Sequence, residues 1–264
     1  MLKLKDISVT FNEGTPDEKK ALNNIQLELQ EGEFVTVIGS NGAGKSTLMN
    51  VISGALIPDV GDVYIAESQV VHLPEYKRSK YIGRVFQDPM AGTAPSMTIE
   101  ENLAMAYSRN RKRKLKLGVT KERKQMFKDN LATLNLGLEG RLNAKVGLLS
   151  GGERQALSLL MSTFTEPNIL LLDEHTAALD PSRAELITQL TEKIVRESGL
   201  TTLMVTHNMQ QALDLGTRLV MMDKGQIIFD VNGEEKQKLT VEDLLHEFKR
   251  IRGEQFGDDR AVLS

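Results

Sequence analysis

The chain has 264 residues, with 33 Lys and Arg against 36 Asp and Glu, so its formal net charge is −3. That balance argues against a general nucleic-acid coat, and the 40% apolar content can build a core. Cysteine is absent, the four histidines show no HxxxH spacing, and no apolar run approaches the ~20 residues of a membrane span.

The first residues, Met1-Leu2-Lys3-Leu4-Lys5-Asp6, contain no apolar stretch of the signal-peptide kind, so the expectation is a soluble cytoplasmic protein. Leu2 and Leu4 alternate with lysines, then Ile7, Val9 and Phe11 continue after a slip in phase, which predicts a strand with a bulge. Asn12 to Lys20 reads as a loop. Ile25, Leu27 and Leu29 alternate again, and Phe34-Val35-Thr36-Val37-Ile38 is nearly continuous, as in a strand covered on both faces.

A helical pattern follows Thr47 and stops at Gly54. Val63–Ile65 and Ile82–Phe86 are further strand candidates. From Thr98 to about Leu142 the period is helical. Thr98 and Glu101 form a capping box there, and Met126, Phe127, Leu131 and Leu134 share one face. Strand and helix then alternate. A helix runs from Ser150 to about Phe164, and Ile169–Leu172 is a buried strand. Asp180-Pro181 opens a helix that ends near Gly199, and Thr201–Thr206 is a strand. Asn208–Leu215 is a short helix, and Leu219–Met222 and Gln226–Phe229 flank a hairpin turn. Thr240 and Asp243 start a last helix, and the tail from Gly253 is polar. The alternation predicts an α/β fold with a largely parallel sheet, into which a helical lobe of about residues 91–165 is inserted.

Gly39-Ser40-Asn41-Gly42-Ala43-Gly44-Lys45-Ser46-Thr47 fits G-x-x-x-x-G-K-[ST] between a strand and a helix. Glycines let successive N–H groups form an anion nest, and the helix N-terminus adds partial positive charge. Lys45 is expected to reach the β- and γ-phosphates of ATP, and the Ser46 hydroxyl to ligate Mg²⁺. Ile169–Leu172 ends in Asp173-Glu174. Successive strand residues face opposite ways, so the two carboxylates take different roles. Asp173 is the expected Mg²⁺ partner, and Glu174 the base that polarises the attacking water.

Leu149-Ser150-Gly151-Gly152-Glu153-Arg154-Gln155 opens a helix. Ser150 and Glu153 make a capping box. Two glycines directly after the cap cost about 1 kcal/mol each against Ala, which suits a backbone that something must approach closely.

This LSGGERQ run resembles the signature of ATP-binding cassette (ABC) ATPases. The order of phosphate loop, Gln87, signature, acidic strand, Ala178-Leu179-Asp180 and His207 matches that family from Leu2 to about Lys249. The resemblance implies a P-loop NTPase core (1–90 and 166–249) with antiparallel N-terminal strands, an inserted helical and signature subdomain (91–165) and a tail (250–264). It also implies head-to-tail pairing, with Ser150, Gly151 and Gly152 on the γ-phosphate held by a second copy. By the same resemblance Phe11 stacks on adenine and Gln87 touches Mg²⁺ and water. Asp180 communicates across the dimer, and His207 senses the γ-phosphate. The family often has proline after the catalytic glutamate, where this chain has His175.

ABC ATPases drive different machines. With no spanning segment, the resemblance favours an importer motor at the cytoplasmic membrane face, working with a separate permease and an extracytoplasmic solute-binding protein. The stretches Gly83–Met90 and Asp173–Asp180 look like a bacterial subgroup associated with aromatic amino acids or related small solutes. Alternatives are an export or extrusion system, and a soluble ATPase acting on nucleic acid or ribosomes. Met90 and Met97 are expected to line the permease groove. Six basic residues among 109–116 read either as a solvated loop or as a contact for anionic lipid.

Overall fold

The computed structural model describes residues 1–109, 111 and 118–250. Apart from Arg109 and Arg111, the basic run lies outside the described residues, as does the tail from Gly253.

The chain opens with strands β1 (Leu2–Phe11), β2 (Lys19–Leu29) and β3 (Phe34–Gly39), then helix α1 (Lys45–Ser53). Strands β4 (Val60–Ile65) and β5 (Ser68–Gln69), helix α2 (Glu75–Arg78) and strand β6 (Ile82–Val85) follow. Helices α3 (Ile99–Ser108), α4 (Lys121–Ala132) and α5 (Gly151–Thr163) come next. Beyond them lie β7 (Ile169–Asp173), α6 (Pro181–Ser198), β8 (Thr201–Val205), α7 (Met209–Asp214), β9 (Arg218–Asp223), β10 (Gln226–Asn232) and α8 (Gly233–Lys238). A final helix, α9, covers 241–250.

Two sheets result. The first is antiparallel, in the order β2-β1-β4-β5, and the second has the order β10-β9-β3-β8-β7-β6. In the second sheet β9, β3, β8, β7 and β6 run parallel, and only β10 is antiparallel. The register of β1 against β2 shifts at three places between Leu4 and Thr10, where a single bulge was expected. The shifts keep Leu2, Leu4, Ile7 and Val9 on one buried face.

The larger sheet is buried on both sides, which explains its continuous apolar runs. Ile169, Leu171, Leu203 and Val205 face a core shared with the antiparallel sheet and α1. Leu170, Leu172 and Met204 face a second core under the helices, with Phe127, Leu131 and Leu134. The described residues of the predicted helical stretch, Thr98 to about Leu142, contain α3, α4 and a 3₁₀ turn at Leu138–Gly140. The capping boxes are as read: Thr98 with Glu101, and Ser150 with Glu153. The sequence does not reveal β5, α2 and α8, which are short and polar, so no apolar period marks them.

Arg78 was also not foreseen. It is fully buried, and its guanidinium donates to the carbonyls of Val51 and Ile52 at the end of α1 and to those of Leu73 and Val71. A cation at the negative end of a helix satisfies its orphan carbonyls. This ties the C-terminal end of α1 to the segment between β5 and α2.

Candidate functional site

β3 ends at Gly39 and α1 begins at Lys45, so residues 40–44 form the loop between them. A Cβ on Gly39 would lie 2.2 Å from the Met222 carbonyl oxygen, and one on Gly44, at φ +102°, would lie 2.5 Å from that of Ala21. Neither position admits a side chain. α1 has no side-chain cap and no acidic residue in its first turn, so its N–H groups remain for an anion. The hairpin turn braces the loop from below. Ser40 Oγ donates to Asp223 at 2.9 Å, and the Gly225 N–H donates to the Ala43 carbonyl at 3.0 Å.

Lys45 is buried and folds back over the loop, donating to the carbonyls of Gly39 at 2.8 Å and Ser40 at 3.1 Å. Burial lowers its pKa, while Glu174 and Asp173 act in the opposite sense. Phe11, Asn41, Gly42, Ala43, Gly44, Lys45, Ser46, Thr47 and Glu174 line one cleft of about 290 Å³. Phe11 is 41% exposed, so it is not a core residue and its ring is available for stacking.

Glu174 follows β7 with φ +44°, an unusual conformation for a residue with a side chain, and its N–H is held by the Val205 carbonyl at 2.9 Å. Its Oε2 lies 3.3 Å from His207 Nδ1. Sequence position alone did not require this contact; the family resemblance implied that the two act together. Gln211, unnoticed in the sequence, ties their flanks. Its amide accepts from Thr206 and donates to Thr176 and Thr188. His175 is buried against Thr191 at 3.0 Å. Thr191 gives its own proton to the Ile187 carbonyl, so it accepts Nε2–H from the ring. Burial pushes this histidine down to about 4, so it is neutral at physiological pH and anchors the residue after Glu174 to α6.

Gln87 and Asp173 share a neighbouring depression with Phe86, Asp88 and Ala178. Asp173 also pairs with Arg84 at 3.1 Å. Among the described residues no group of three or more His, Cys, Asp or Glu could cage a metal. The residues that would hold the expected Mg²⁺ are the Asp173 carboxylate and the Gln87 amide in this depression and the Ser46 hydroxyl in the adjoining cleft. That sparse, all-oxygen set suits Mg²⁺, which takes few protein ligands and completes its shell with water and phosphate oxygens.

Ser150, Gly151 and Gly152 do not line the phosphate cleft. They form the N-terminus of α5, where the Glu153 N–H donates to Ser150 Oγ and the Ser150 N–H donates to the Glu153 carboxylate. Gln155, the last residue of the motif, is buried and donates to the Phe86 carbonyl at 3.1 Å, joining α5 to the strand end before Gln87. Asp180 caps α6 by accepting from the Arg183 N–H, and it is exposed. One copy of the chain therefore assembles the phosphate loop, Phe11, Glu174 and His207, with Gln87 and Asp173 adjacent, and leaves the signature elsewhere.

The family profile described as "ABC transporter" matches residues 22–177. The chain belongs to the ABC transporter family. A tyrosine transport ATP-binding protein of Clostridioides difficile is 45% identical over 94% of this chain and 99% of its own length. A xylose/arabinose import ATP-binding protein of Sulfolobus acidocaldarius is 31% identical over 94% of each chain. Among solved structures, a dimeric ATP-binding cassette in a post-hydrolysis state with ADP and Pi is similar at a TM-score of 0.75 and 32% identity, covering 88% of this chain and 98% of that one. The chain is thus an ATP-binding, ATP-hydrolysing subunit of an ABC transporter, with the P-loop cassette fold. No helix among its described residues is long and apolar enough to cross a membrane.

Proposed function

We propose that this ABC subunit is the motor of an importer and works as a pair of copies on a separate membrane permease at the cytoplasmic face. The observation that carries the reading is the separation of the two anion sites. The phosphate cleft holds Lys45 and Glu174 but not Ser150–Gly152, so a bound γ-phosphate reaches a signature only from a second copy. The dimeric form of the similar solved cassette supports this.

In the proposed cycle Phe11 stacks on adenine, the loop N–H groups and Lys45 hold the phosphates, and Ser46, Asp173 and Gln87 hold Mg²⁺. When bound, that ion neutralises phosphate charge and fixes the phosphate oxygens. Glu174 takes the proton of the attacking water, with His207 beside it, and Ser150–Gly152 of the second copy close the site. Asp180, at the exposed start of α6, faces the partner copy.

A groove beside β6 is the permease seat. Phe86, Ala91, Gly92, Arg84, Arg109 and Met161 line it, and Met90 and Met97, expected there, are not among its lining residues. Met90 is exposed next to it. Hydrolysis at Glu174 is relayed to this groove through Gln87 and the Gln155–Phe86 bond. The tyrosine transport relative favours an aromatic amino acid as solute, delivered by an extracytoplasmic binding protein.

The test is capture of tagged Glu174→Gln protein from host membranes in Mg·ATP. The expected eluate contains a polytopic permease and a solute-binding protein. Ribosomes or nucleic acid without a polytopic protein would overturn the transporter reading.

A further inference from the structure

Arg84 lies on β6 opposite Leu171 of β7, and its side chain reaches the phosphate-binding helix α1. Its Nη2 donates to Asp173 Oδ2 at 3.1 Å and to Asn50 Oδ1 at 3.0 Å, and its Nη1 donates to Ser53 Oγ at 3.2 Å. Its guanidinium carbon sits 4.7 Å from the ring centre of Phe86, the residue before Gln87. The Arg84 and Asp173 side chains are 13% and 16% exposed, so solvent screens the pair weakly. Asn50 and Ser53 belong to α1, and both accept from the guanidinium. A cation is therefore held, by contacts to α1 and to an aromatic face, on the carboxylate assigned above to the magnesium side.

We propose that Arg84 is a positioning residue that competes with the divalent cation for Asp173. It holds Oδ2 and orients the carboxylate while nucleotide is absent, leaving Oδ1 for the metal shell. Its charge repels a dication arriving at the same group, so it raises the metal concentration needed to load the site. Lys45 turns to the carbonyls of Gly39 and Ser40, whereas Arg84 is in direct contact with Asp173. Arg84 also lines the groove beside β6, which places the metal carboxylate one side chain from the proposed permease seat. The inference rests on Asp173 being the magnesium-side carboxylate.

The test measures the Mg²⁺ midpoint for binding of a fluorescent ADP analogue to the full chain, without turnover, with Mn²⁺ binding followed by electron paramagnetic resonance as a second readout. Arg84→Gln removes the charge but keeps hydrogen-bonding reach, and its midpoint is expected to fall about tenfold. Arg84→Lys keeps the charge, and its midpoint is expected within about twofold of the parent. A purely structural role moves both variants alike, upward. An Arg84→Gln midpoint equal to or above the parent's overturns the proposal. If Arg84→Gln does not fold, Arg84→Lys decides, and a several-fold shift in either direction is contrary. If the parent binds the analogue with no dependence on Mg²⁺, the Asp173 assignment itself fails.

Discussion

Glu174→Gln is expected to lower the ATP hydrolysis rate at least 100-fold while nucleotide affinity stays within about twofold of the parent. A positioned general base contributes about 10²–10⁴ in rate, and glutamine is isosteric but cannot take a proton. The folded state should tolerate the change. The unusual backbone at Glu174 is held by its N–H bond to Val205, which glutamine keeps, and the side chain pairs with His207, which is 60% exposed. Single-turnover hydrolysis and equilibrium binding of labelled ATP, run side by side, check both halves. A rate near that of the parent would move the base elsewhere, and equal losses of rate and affinity would make Glu174 a binding residue.

Lys45→Ala is expected to act at the other end of the cycle, weakening ATP binding by about 100-fold. Charge-assisted bonds to phosphate are among the strong ones, and about 2.7 kcal/mol corresponds to two decades of affinity. Without phosphate, the Lys45 ammonium is satisfied by the carbonyls of Gly39 and Ser40. Its removal leaves those carbonyls beside an open cleft rather than sealed in the core, so the thermal midpoint should change little. Titration with a fluorescent ATP analogue measures the loss. Affinity within threefold of the parent would mean that the loop N–H groups alone hold the phosphates.

The parts of this site that were legible in the sequence are those in which a short run does the work. The phosphate loop needs glycine at positions where Met222 and Ala21 approach, so Gly39 and Gly44 are visible as a pattern. The strand Ile169–Leu172 is apolar because both of its faces are buried, and the carboxylates that end it stand out for that reason. Ser150 with Glu153, and Asp180 before Pro181, are local caps, and local caps read well.

The rest depends on contacts between distant segments. Nothing near Arg84 in the sequence points to Asp173, and nothing near Gln155 points to the Phe86 carbonyl. Asp223 reads as a turn residue, yet it receives the Ser40 hydroxyl. The contact of Glu174 with His207 is of the same kind: the resemblance gives each a role at the γ-phosphate, but the two residues meet only once β7 and β8 are paired. The three register shifts of β1 were read as one for a related reason. Alternation records which face a residue takes, not how the partner strand accommodates the slip.

In the proposed cycle one copy holds an incomplete site, and ATP joins two copies through Ser150–Gly152. The most direct measurement is the molecular mass of the Glu174→Gln protein by light scattering, with and without Mg·ATP. The expected result is a monomer without nucleotide and a doubled mass with it, reverting to monomer when Ser150 is also replaced by Arg. A protein that remains monomeric at saturating Mg·ATP would contradict it.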